Sequence, residues 1–141
     1  MKKKSNPLDY AFRLLSYRDR AWSEIERRMR EKDYDFEEIE KVKIKLEELD
    51  LIDDSEFASS YIENKKKRFW GPIRIKAELF RFGIPKTEIE NRCDEHDWKE
   101  LLDHAVAKYK DKFVGQKLAT KLHRLGFPTS WIWESISHLD K

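Results

Sequence analysis

A chain of 141 residues is long enough to bury a core, and its 13% aromatic content, with five Trp, excludes a disordered polymer even though 41% of the residues are charged. The single cysteine, Cys93, excludes an internal disulfide, and no stretch resembles a signal h-region or an 18-residue apolar span, so a cytoplasmic protein with no membrane partner is expected. The net charge of +2 hides an asymmetry: residues 8–54 sum to −5, residues 55–96 to +2 and residues 97–141 to +2, with Lys2, Lys3 and Lys4 restoring the total.

Gly and Pro are scarce, and the apolar spacing is that of amphipathic helices nearly throughout. Residues 1–7 read as a basic N-terminal tail. Residues 8–54 hold three helices, near 8–17 (Ala11, Phe12, Leu14, Leu15), 22–32 (Ile25, Met29) and 36–50 (Ile39), the last opened by an Asp35–Glu38 capping box. In residues 55–96 the helices fall near 55–68 (Phe57, Ala58, Tyr61, Ile62), 72–82 (Ile75, Leu79) and 86–96 (Ile89), with Asp54 expected as the first N-cap. Residues 97–141 repeat the arrangement near 97–112 (Leu101, Leu102, Ala105, Val106, Tyr109), 116–125 (Leu118, Leu122) and 129–139 (Ile132).

These units share one pattern. Ile25, Met29, Tyr34 and Ile39 are spaced by four, five and five, and so are Ile75, Leu79, Ile84 and Ile89, and Leu118, Leu122, Phe127 and Ile132. The third apolar position is preceded by Asp33, Gly83 or Gly126 and followed by Asp35, Pro85 or Pro128, a helix stop and a helix start. The predicted fold is all-α: three tandem three-helix repeats forming an elongated, curved helical body, each unit burying a small core of its own and packing on its neighbour. Apolar stripes buried in this way predict a monomer.

The densest basic feature is Lys65-Lys66-Lys67-Arg68-Phe69-Trp70-Gly71-Pro72, followed by Arg74, Lys76 and Arg81. Cations interleaved with rings suit a nucleic-acid backbone, or equally an acidic protein groove. A plainer reading makes the cations a dipole-complementing last turn, and makes Trp70 a staple over Ile75 with Gly71 as N-cap and Pro72 at the first helical position. The repeat adds a second basic set. Lys117 and Arg124 stand where Arg74 and Arg81 do, Lys121 lies between them, Lys108, Lys110 and Lys112 are near, and the first unit has Glu24 and Glu31 instead. Units two and three are therefore expected to present a basic face.

Catalysis finds little support. Cys93 and His96, with Asp94 and Asp97 beside them, suggest a metal or Cys–His pair, but no further paired ligand spacing exists and Cys93 follows Ile89 by four, as a core residue would. No phosphate loop or nucleophile elbow is present. The expectation is no cofactor, no metal and no enzymatic activity. A helix-turn-helix DNA reader is disfavoured because the third helices open on Phe36-Glu37-Glu38, Lys86-Thr87-Glu88 and Thr129-Ser130-Trp131. A scaffold bridging two proteins is the remaining alternative.

The run Leu51-Ile52-Asp53-Asp54-x-x-Phe57-Ala58, then Tyr61, then Gly71-x-x-Arg74-Ile75-x-x-Glu78-Leu79-x-x-x-Gly83-Ile84, resembles the RecX regulators of the bacterial RecA recombinase. Ser23-Glu24-Ile25-x-x-x-Met29 looks like the matching helix of the first unit, and the resemblance covers about residues 8–139. Asp33, Met29 and Tyr34 depart from the family pattern. The resemblance implies a non-enzymatic tandem-repeat protein that binds the RecA–DNA filament along its groove, most simply as an inhibitor, with a role in recombination, DNA repair and the SOS response and with single-stranded DNA as a second binding partner. On that reading the binding residues are Lys65, Lys66, Lys67, Arg68, Trp70, Arg74, Lys76, Arg81, Lys117, Lys121 and Arg124.

Overall fold

The computed structural model describes residues 5–140. Lys2, Lys3 and Lys4, assigned above to a basic tail, lie outside the described residues. The chain is all-α as expected, with nine α-helices, one closing 3-10 turn and no strand among the described residues: α1 (Pro7–Tyr17), α2 (Trp22–Glu31), α3 (Phe36–Glu48), α4 (Asp54–Lys66), α5 (Pro72–Arg81), α6 (Lys86–Cys93), α7 (Trp98–Tyr109), α8 (Gln116–Leu125) and α9 (Thr129–Ser137). Every boundary falls within three residues of its expected place.

Local chemistry explains the ends. Asn6 caps α1 by accepting the Leu8 N–H (2.9 Å), ahead of Pro7 at the first helical position. The capping box forms, with the Glu38 N–H on Asp35 Oδ1 (2.8 Å) and the Asp35 N–H on Glu38 Oε1 (3.0 Å). At α4 the cap is Asp53 rather than the expected Asp54: Asp53 Oδ1 accepts from the N–H groups of Ser55 (3.0 Å) and Glu56 (3.2 Å). Asp54 is the first helical residue instead, and its carboxylate reaches back to the Trp22 N–H at 3.4 Å. Two adjacent aspartates compete for one cap, and the tertiary contact to α2 decides between them. The expected helix 55–68 stops at Lys66 because Phe69 takes a left-handed conformation (φ 62), letting the Lys65 carbonyl accept from Trp70 N–H (3.1 Å).

The four-five-five pattern corresponds to one backbone device made three times. Across each α-turn-α corner the third apolar residue donates its N–H to the carbonyl of the second: Tyr34 to Met29 (3.1 Å), Ile84 to Leu79 (3.2 Å), Phe127 to Leu122 (3.3 Å). The residue just before the donor has positive φ in all three, Asp33 at 64°, Gly83 at 79° and Gly126 at 104°.

Close helix packing falls in consecutive threes, α1 with α2 and α3, α4 with α5 and α6, α7 with α8 and α9. The cores do not divide the same way. Tyr10, Ala11, Leu14, Trp22, Ile25, Met29, Tyr34, Ile39, Val42 and Leu46 form one apolar cluster, whereas α4 to α9 share a second, continuous one running from Ala58 and Ile62 to Ile132 and Ile136. Cys93 lies inside that second core, fully buried as expected.

The middle helices meet end to end. Ser23 Oγ, at the start of α2, donates to the Phe82 carbonyl at the end of α5. The start of α5 makes the same approach to the end of α8: the Gly71 N–H donates to Leu125 O (2.6 Å) and the Ile73 N–H to Gly126 O (3.0 Å). A hydroxyl at the first junction and two orphan N–H groups at the second thus satisfy orphan carbonyls at a neighbouring helix end, with the helix dipoles head to tail. The second junction is the tighter one. A Cβ on Gly71 would lie 2.5 Å from the backbone C and O of Gly126, while the equivalent residue of the first junction is Ala21, which is accommodated in the second core.

Candidate functional site: a cation–aromatic face

Four of the cations on the second and third helix sets sit over neighbouring aromatic rings rather than beside carboxylates. The guanidinium carbon of Arg74 is 3.5 Å from the Trp70 ring centre, and Lys65 Nζ lies 4.6 Å from Trp70 and 5.3 Å from Tyr61. Next to them, Lys108 Nζ is 4.9 Å from the Phe69 ring and Lys121 Nζ 4.9 Å from Tyr109. The two groups are joined by the edge-on contact of Phe69 with Tyr109, 6.3 Å between centres. Neither Lys65, Arg74, Lys108 nor Lys121 is in an ion pair among the described residues. A ring holds a cation in place without neutralising its charge, so the face keeps its positive field.

Its construction follows from the junction described above. The left-handed turn at Phe69 sends that ring towards α7 and leaves Trp70 half-buried beside Tyr61, 6.5 Å between centres. Gly71 and Pro72 then open α5, as the staple reading requires, and Gly126 approaches so closely that a Cβ there would meet Arg74 Cβ at 2.5 Å. Arg74 is thereby fixed above Trp70. Trp70 packs against the second core and carries Lys65 and Arg74 over its ring.

Beyond Lys121 the face continues into a shallow groove of about 360 Å³ lined by Phe113, Gln116, Lys117, Thr120, Lys121 and Arg124. Lys117, Lys121 and Arg124 share one side of α8 at steps of four and three. Lys67 and Arg68 are exposed at the α4–α5 turn. Three of the candidate residues are turned to other tasks. Lys66 Nζ donates to His96 Nδ1 at 2.9 Å, Lys76 Nζ is 3.0 Å from Glu90 Oε2 of α6, and Arg81 lies 3.4 Å from Glu78 at the far end of α5. Sequence reasoning treated Tyr61 and Tyr109 only as apolar positions of the repeat and left Phe113 unread. A tyrosine on an apolar stripe was the available signal, since its ring needs burial while its hydroxyl seeks the margin.

Glu24, one of the two acidic residues at the matching positions of the first set, has a structural task. Glu24, buried, is gripped by Arg18 Nη2 (2.6 Å) and Arg20 Nη1 (3.4 Å), and Arg20 Nε also donates to Leu14 O (3.0 Å). The position that is an exposed cation in the other two sets here pins the α1–α2 connection.

The remaining titratable cluster offers no catalytic arrangement. Burial pushes the Cys93 thiol up to about 11, away from a reactive thiolate. His96 faces Lys66 and Glu63 (3.6 Å) rather than Cys93, and burial together with the Lys66 ammonium lowers its pKa, so that neutral Nδ1 accepts from Lys66. Among the described residues no three of His, Cys, Asp and Glu are grouped to hold a metal, and no helix is long and apolar enough to cross a membrane.

Comparison with known proteins agrees with this architecture. Two family models match, the first three-helix domain of RecX over residues 8–45 and the second over residues 53–91. The regulatory protein RecX of Chlorobaculum tepidum is 33% identical over 141 residues, covering 95% of this chain and 86% of the relative, and that of Thermotoga maritima is 30% identical over 139 residues, covering 95% and 84%. The crystal structure of RecX from Lactobacillus salivarius superposes with a TM-score of 0.78 at 26% identity, over 95% of this chain and 94% of that one. With helices, turns and near full-length relatives in agreement, the chain belongs to the RecX family of regulatory proteins.

Proposed function

We propose that this protein is a non-enzymatic modulator, most simply an inhibitor, of the RecA recombinase, which it reaches by binding the RecA–DNA filament along its groove. The observation that carries the reading is the set of ring-seated, uncompensated cations spanning the second and third helix sets, Lys65, Arg74, Lys108 and Lys121. Membership of the RecX family supports RecA as the partner. Cations spread over a face suit the regularly spaced phosphates or acidic side chains of a filament. The protein acts as a cytoplasmic monomer in recombination and DNA repair. It needs no cofactor, since its role is to alter the filament rather than to turn over a substrate.

Titration into RecA, single-stranded DNA and ATP, recording ATP turnover and filament length, tests this. A graded fall in turnover or in filament length is expected. Unchanged turnover and strand exchange at saturating protein would refute it. The rival reading, a module that binds single-stranded DNA alone, draws on the same cations. It predicts equal effects on free DNA and on filaments, whereas filament binding predicts tighter association when RecA is present.

A further inference from the structure

Along the outer side of α5 stand Ile73, Ala77 and Phe80, at steps of four and three, in one stripe. Ile73 is 55% exposed and Phe80 71%. The core side of the helix is carried by Pro72, Ile75 and Leu79, so the fold does not use the stripe. The equivalent positions are polar in the other middle helices, Ser23, Arg27 and Arg30 on α2 and Gln116, Thr120 and His123 on α8. Contiguous exposed apolar residues at one place in a repeated scaffold mark an interaction site.

The margins of the stripe identify its occupant. Arg74 and Arg81, seven apart, run along one side and Lys76 along the other. Glu78 and Glu90 pair with Arg81 and Lys76 and offset those two charges, so the net positive charge beside the stripe is that of Arg74, which lies over Trp70. We infer that the Ile73–Ala77–Phe80 stripe is a docking surface for a partner protein that presents an apolar anchor with a carboxylate beside it, facing Arg74. Nucleic acid is a poorer occupant, because phosphates would satisfy the arginines but leave the aliphatic Ile73 and Ala77 against a polar backbone. A second copy of this chain is poorer too, since a two-fold contact through the stripe would set Arg74, unpaired among the described residues, near its own copy with no nearby carboxylate free to answer it. The inference rests on the filament reading above and divides its labour: the cation–aromatic face takes phosphate, the α5 stripe takes the protein of the filament.

The test compares the parent chain with an Ile73→Ser/Phe80→Ser variant on two probes, RecA filaments on single-stranded DNA and the same DNA free. Both side chains are exposed, so melting should be unchanged. Filament affinity is expected to fall about tenfold or more, as for two apolar anchors removed from an interface, with affinity for free DNA preserved. Phe80→Glu, which sets a charge in place of the apolar contact and near the partner's carboxylate, should weaken filament binding more than Phe80→Ser. Unchanged filament affinity in the double variant, or equal losses on both probes, would overturn the assignment. So would a parent dimer in sedimentation that the double variant dissolves, which would make a second copy the occupant. A parent chain with no affinity for filaments refutes the functional reading itself and, with it, the inference.

Discussion

Gly71→Ala is the smallest change that tests the end-to-end junction on which the candidate face depends. Gly71 has φ −82, so alanine brings no backbone strain there and acts by volume alone. Its Cβ would lie 2.5 Å from Gly126 C and O and 2.7 Å from Phe127 N, all backbone atoms, which no side-chain rotation can relieve. Restoring ordinary van der Waals separation requires the ends of α5 and α8 to part by roughly 1 Å, as overpacked sites do at a cost of about 1–3 kcal/mol. That displacement stretches the bonds from Gly71 N–H to Leu125 O (2.6 Å) and from Ile73 N–H to Gly126 O (3.0 Å), each worth about 0.5–1.5 kcal/mol net. Because parting the helices relieves the overlap at the expense of those bonds, the two effects do not add fully, and a loss of about 2–4 kcal/mol is expected. At roughly 3 °C per kcal/mol for a chain of this size, Tm should fall by about 6–12 °C in a calorimetric scan. Arg74 follows the start of α5, so affinity for single-stranded DNA should fall as well. A Tm within about 2 °C of the parent would show that the junction is loose in solution and that the reasoning is wrong.

Three further outcomes are expected. Replacing Lys65, Lys66, Lys67 and Arg68 by Gln should leave the fold intact to within about 1 kcal/mol, while the log–log salt slope for single-stranded DNA flattens by roughly 0.7 for each phosphate no longer neutralised; because Lys66 is held by His96, the flattening should correspond to about three phosphates rather than four, and an unchanged slope would remove the run from the binding surface. Trp70→Ala should lower both stability, by about 1–3 kcal/mol for a half-buried ring, and DNA affinity, whereas Trp70→Phe should keep most of both; loss of stability with full binding would leave the staple role alone. Burial and Lys66 lower the folded-state pKa of His96, so on acidification the unfolded chain takes up the proton first: this contribution to stability is complete above about pH 6.5 and is lost as pH falls through the folded value, and a Tm–pH profile between about pH 7.5 and 5 should be flatter for His96→Gln than for the parent.

Helix content, the order of elements and the corners between them were legible in the sequence because they are local. A four-five-five spacing of apolar residues with Gly or Asp before the corner and Pro or Asp after it encodes a helix end, a left-handed residue and a new helix, whatever packs around them. The buried character of Cys93 and the Asp35–Glu38 box are equally local, each set by residues three or four positions away. The basic run was legible as charge, but its use was not. Nothing within ten residues of Lys66 shows that His96 will receive it, or that Glu90 will take Lys76 while Arg74, two residues earlier on the same helix, turns to Trp70.

Tertiary structure decided those matters, and it decided the grouping of the cores. Three similar units were expected to bury three small cores, yet α4 to α9 share one while α1 to α3 keep their own. The physical reason lies in how closely the middle helices can approach. Gly71 meets Gly126 backbone to backbone and brings the second and third sets into one apolar body, whereas at the first junction Ala21 and Ser23 hold α2 a side chain's width from Phe82 and Gly83. The same approach places Lys108 beside Phe69, next to Tyr109 and Lys121, turning cations of the second and third sets, more than thirty residues apart, into one face. The periodicity of a sequence specifies which side of each helix is buried; how near two helices come depends on the pair of residues that meet, and that pair exists only once the chain has folded.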